Sequence, residues 1–130
     1  MQARKTAALA LVVSLTAAPP ALADGFWTHD LGAAGTPEAC LDRASRAMET
    51  YFRQNGVTDG LVQVADWSVQ GYDLPPGDVQ AQFVCPYRDG VVEIALLFTY
   101  SAGPESDRHA VVESLTAIWE RLGAPVPLTK

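Results

Sequence analysis

Apolar and polar positions alternate most regularly in two neighbouring stretches, residues 79–87 and 91–100. In the first, Val79, Ala81, Phe83, Cys85 and Tyr87 alternate with Gln80, Gln82, Val84 and Pro86. In the second, Val92, Ile94, Leu96, Phe98 and Tyr100 alternate with Val91, Glu93, Ala95, Leu97 and Thr99. A period of two marks a strand with one buried face. Arg88-Asp89-Gly90 between the stretches has the residues of a tight hairpin turn. Pro86 inside the first stretch signals an edge, a bulge or a strand end.

Two other segments repeat at helical spacing. Thr36-Pro37 opens the first, with Thr suited to the N-cap and Pro to the first helical position. Cys40, Ala44, Ala47, Met48 and Tyr51 form its stripe, widened by Leu41 and Phe52, and Asn55-Gly56 stops it. The second begins near Pro104, carries Glu105 and Asp107 in its first turn, and has Val111, Leu115, Ile118 and Leu122 as its stripe, flanked by Val112 and Trp119. Gly123 ends it, and Pro125 and Pro127 keep the tail from continuing. Residues 25–31, aromatic at Phe26 and Trp27, read as a short first strand. Residues 61–70 read as another, with Leu61, Ala65, Trp67 and Val69 on one face. Residues 71–78, interrupted by Pro75-Pro76-Gly77, read as a stiff loop.

The order is therefore β-α-β-β-β-α. It predicts an α+β fold: a mostly antiparallel sheet of about four strands, with two helices on one face. The last three strands are expected to form a meander. A right-handed crossover through the first helix would set the first strand parallel to a strand of that meander.

The chain's start changes the picture of what folds. Arg4 and Lys5 precede an apolar run from Thr6 to Ala18, then Pro19-Pro20 and Ala21-Leu22-Ala23. This is the secretory signal pattern, with cleavage expected before Asp24. The run is shorter than the roughly 20 residues of a membrane-spanning helix. Residues 1–23 are thus read as a cleaved signal peptide, and 24–130 as one domain with no stable membrane insertion. All 15 acidic residues lie after Ala23, against seven remaining basic ones, for a formal charge of −8. So acidic a domain, with scattered cations, lacks the footprint that nucleic acid requires.

The chain holds two cysteines, each on the expected core face of its element. In an exported protein this is the profile of one structural disulfide, Cys40–Cys85. A redox pair is disfavoured by the absence of a Cys-x-x-Cys motif, and a metal site by the absence of further ligands nearby.

Little else in the chain carries chemistry. There is no Gly-x-Ser-x-Gly elbow and no glycine-rich phosphate loop, and no cofactor or catalytic residue is expected. Two features suggest recognition instead. Trp67 with the stiff loop residues Tyr72, Asp73 and Leu74 is one candidate surface, since stiffness lowers the ordering cost of binding. The second sheet face is the other. Val62, Val64, Val84 and Leu97 make it too apolar for a wet face, as at a dimer or partner interface. His29 with Asp30, and His109 with Glu105, are weaker candidates for metal ligation. They belong to no metal-binding motif.

In TPEACLDRA, with Cys40, and VQAQFVCPY, with Cys85, the chain resembles small exported α+β proteins of unknown function from Gram-negative bacteria. The resemblance implies a periplasmic protein with an internal disulfide. The expectation is a non-catalytic binding or interaction module, working on a protein or small-molecule partner or as a homodimer. A periplasmic metal-binding protein, and a small hydrolase or an inhibitor of one, are the alternatives.

Overall fold

The computed structural model describes residues 25–123; the expected signal peptide, its cleavage site and the tail with Pro125 and Pro127 lie outside the described residues. The elements are β1 (Gly25–Gly32), α1 (Pro37–Gln54), β2 (Val62–Val64), β3 (Ser68–Leu74), β4 (Val79–Val84), β5 (Ala95–Ser101) and α2 (Glu105–Gly123). The strands form one sheet, in the order β1-β5-β4-β3-β2, with every neighbouring pair antiparallel. The helices pack on each other and on one side of the sheet, α1 over β2 and β3, α2 over β1, β5 and β4. This is the expected α+β class, with five strands rather than four.

The extra strand comes from residues 61–70. They do not run straight: the amide of Ala65 donates to the Ser68 carbonyl at 2.9 Å, and the chain doubles back as the β2–β3 hairpin. No glycine or proline marks this turn, so the alternation on either side reads as one strand. The expected loop at 71–78 is shorter than predicted, because β3 continues to Leu74 past an irregularity after Gly71. Gly71 itself lies beneath α1, where any Cβ would clash with the Met48 sulfur. β1 runs in the same direction as β2 and β4, but its neighbour is antiparallel β5. The crossover through α1 therefore joins the two edges of the sheet rather than adjacent strands.

α1 forms as its sequence dictates. The Thr36 hydroxyl accepts from the Ala39 amide, Pro37 takes the first turn, and Asn55 donates to the Tyr51 carbonyl at the far end. Cys40, Ala44, Ala47, Met48, Tyr51 and Phe52 are buried, and Cys40 is bonded to Cys85 with a Cα–Cα distance of 6.1 Å. α2 lies antiparallel to α1, with Arg43 at the junction. Its guanidinium donates from Nε and Nη2 to the Trp119 carbonyl at 2.9 and 2.6 Å and lies 4.0 Å from the Trp119 ring centroid. That ring stacks on Phe83 of β4. Cation, ring and ring thus join α1, α2 and the sheet in one column. Burial lowers the Arg43 pKa, opposed by nearby Glu120.

Two further side chains hold the connections. Arg108 is buried and donates from Nη1 to the Ser101 carbonyl at 3.0 Å, the Ser101 hydroxyl at 3.2 Å and the Gly103 carbonyl at 2.7 Å. It thereby shapes the passage from β5 into α2. The buried Tyr51 hydroxyl donates to the Pro75 carbonyl and pins the β3–β4 turn to α1. Burial raises the Tyr51 pKa.

Replacing both cysteines by alanine is expected to destabilise the fold by roughly 4 kcal/mol, from a cross-link that spans 45 residues. Urea unfolding of the variant beside the oxidised protein measures this. Tyr51→Phe should cost about 1 kcal/mol at neutral pH. Because the fold disfavours ionised Tyr51, the stability this group contributes is complete below the unfolded phenol pKa of about 10. It is lost as the pH rises through the higher folded value. Alkaline unfolding curves should therefore fall less steeply for Tyr51→Phe than for the parent protein.

Candidate functional site: the uncovered face of the sheet

Strand pairing assigns the second face of the sheet side chain by side chain. One row across it reads Asp30, Leu96, Val84 and Ser68; the next reads Thr28, Phe98, Gln82, Gln70 and Gln63; the third reads Phe26, Tyr100 and Gln80. Tyr72, two residues beyond Gln70 on β3, stands level with the third row at the irregularity opposite Gln80 and donates its hydroxyl to Gln63 Oε1 at 3.0 Å. Both helices lie on the opposite side, and no described element covers this face. Phe26 is 74% exposed, with its ring 5.0 Å from that of Tyr100. A shallow depression of about 320 Å³ lies here, lined by Phe26, Gln70, Gln80, Gln82, Phe98 and Tyr100.

Of the four residues expected on this face, only Val84 is there. Leu97 is fully buried beneath the helices, opposite Phe83. Val62 and Val64 pair with Gly71 and Val69, which places them on the helix side; Val62 packs against the core and Val64 is exposed at the sheet edge. The error at Leu97 has a definite cause. Val92 and Ala95 are both buried although three residues apart, with Glu93 and Ile94 exposed between them. The alternation skips a residue there, so every later side chain changes sides. Phe98 and Tyr100 consequently leave the core for the open face. Because 95–100 is apolar at both parities, hydropathy did not reveal the skip.

The expected recognition residues are also divided. Trp67 is 59% exposed in the β2–β3 turn, not in the core, and the Cys85 amide donates to its carbonyl at 2.7 Å. Tyr72 is half-buried on the open face, toward the other end of β3. Asp73 is exposed with φ +54°, and Leu74 is fully buried. These four do not make one patch. Trp67 instead shares its end of the sheet with the finger formed by residues 85–94, on which Tyr87, Val91 and Ile94 are exposed. The finger tip is closed by paired bonds between Arg88 and Val91, and Asp89 and Gly90 both have positive φ, as the predicted tight turn requires.

His29 and His109 are drawn to one cleft on the other side, with Trp27, Glu113 and Glu120. The His109 ring meets Trp27 edge-on at 5.0 Å, and its Nε2 is 3.8 Å from Glu113. Asp30 faces the opposite side of the sheet and accepts from the Gly32 amide, while Glu105 begins α2. Among the described residues, no three His, Cys, Asp or Glu side chains are grouped so as to hold a metal ion. Comparison with protein-family models, curated proteins and solved structures finds no match to this chain.

The inverted register yields a direct test. Leu97→Ala should cost about 2–5 kcal/mol as a core truncation, whereas Phe26→Ala on the open face should change stability by about 0.5 kcal/mol or less. Thermal melts of the two variants measure the contrast.

Proposed function

We propose that the protein is an exported, non-catalytic binding module whose binding surface is the uncovered sheet face. One observation carries the reading: a face five strands wide bears Phe26, Phe98, Tyr100 and four glutamines, with no described element packed over it. Rings concentrated on an open surface mark interaction sites more often than they serve the fold. The surface is also rigid, since each strand is hydrogen-bonded to its neighbours, and rigidity reduces the ordering cost of association.

Export is supported by two independent features. The signal pattern at residues 1–23 directs the chain out of the cytoplasm, and the Cys40–Cys85 disulfide suits an oxidising compartment. No helix among the described residues is long and apolar enough to cross a membrane. These features support a periplasmic or extracellular location, the one that the resemblance of its two cysteine segments to small Gram-negative exported proteins also implies.

A photoreactive phenylalanine analogue incorporated at Phe98 in exporting cells should form adducts on illumination. The same analogue at exposed Ser114, on α2, should form far fewer. Equal yields from the two positions would overturn the assignment of the binding surface.

A further inference from the structure

Resting on that reading of the open face, we infer that its ligand is an uncharged oligosaccharide chain. The inference comes from which groups stand where. Gln63, Gln70 and Gln82 lie side by side on three adjacent strands, with Gln80 in the next row. Phe98, Tyr100 and Phe26 flank them on one side and Tyr72 on the other. The three rows contain no basic side chain, and their single carboxylate is Asp30 at a corner. The depression of about 320 Å³ is lined by three of the rings and three of the amides. That size falls at the lower end of small-ligand sites.

Each alternative ligand chemistry leaves something unsatisfied. A nucleic acid needs cations, and the face has none. An apolar ligand would bury the glutamine amides without partners, at about 1–3 kcal/mol for each group. An extended peptide adds to the edge of a sheet through its backbone, whereas here the strand backbones already pair with one another across the face. A second copy laid face to face is limited by size. The three rows hold twelve side chains, of which β2 contributes only Gln63. A standard interface draws on about 20–30 residues from each partner.

A neutral sugar chain meets both kinds of group at once. A glutamine amide carries two donors and a carbonyl acceptor for hydroxyl or acetamido groups, the Gln63 oxygen already accepting from Tyr72. The aromatic rings present negative faces to the polarised C–H face of a pyranose. Amides in neighbouring strands repeat at about 4.8 Å, which suits a ligand with polar groups recurring along a chain.

The test is calorimetric titration of the oxidised, exported protein with neutral tetrasaccharides of glucose and of N-acetylglucosamine. At least one should bind. Phe98→Ala and Gln82→Leu should each weaken that binding about tenfold, while Ser114→Ala leaves it unchanged. Melting curves of the variants establish that they are folded. Absence of heat from every tetrasaccharide up to about 10 mM, a range in which even weak specific sites respond, overturns the inference. So does binding that is indifferent to both face substitutions. A polypeptide adduct at position 98 without saccharide binding refutes the sugar assignment alone and leaves the binding face standing.

Discussion

The Cys40–Cys85 bond holds the molecule where hydrogen bonding between its two central strands stops. β4 and β5 are paired as far as Val84 and Leu96, and the ten residues between them belong to neither strand. At the first of these ten, Cys85 is fixed covalently to α1, and its amide bonds to the Trp67 carbonyl. At the far side, Val92 pairs with Gly35 in the connection just before α1. The helix is thus tied twice to the end of the central hairpin. A domain of about this size has a net stability of only 5–15 kcal/mol, so a cross-link worth roughly 4 kcal/mol is a large share of it.

With α1 held there, the layer above the sheet is completed by α2. Arg43 bridges the helices through the Trp119 carbonyl, and Trp119 rests on Phe83. Every large buried side chain belongs to this one layer, between the helices and the sheet. The chain has no third helix to lay on the other side among its described residues. The opposite face is therefore left to side chains of mixed character, and its openness follows from the one-sidedness of the core.

Much of this was legible along the chain. Both helices form with their predicted stripes, and α1 with its predicted cap and stop, because capping chemistry and a period of 3.6 act locally. The Asp89-Gly90 turn was equally plain, since positive φ at two successive residues is a demand few sequences meet. The disulfide could be paired because the chain holds only two cysteines. Residues 95–100 were a different matter. With Leu96, Leu97 and Phe98 in succession, the hydropathy pattern had two self-consistent solutions, and the wrong one put Leu97 outside and Phe98 inside.

What the amino-acid order determined by itself was the α+β class, the two helices, the turn at Asp89-Gly90 and the covalent tie. These depend on interactions within a few residues, or on the scarcity of a reactive group. What only the tertiary structure decided was the side on which each β5 residue lies, the doubling back at Ala65–Ser68, and the seat of β1 at the edge beside β5. Those depend on register, and register is settled by long-range pairing of backbone groups. The candidate site belongs wholly to this second class. Its rings and amides come from five strands that are scattered along the chain, and only the pairing of those strands puts them on one surface.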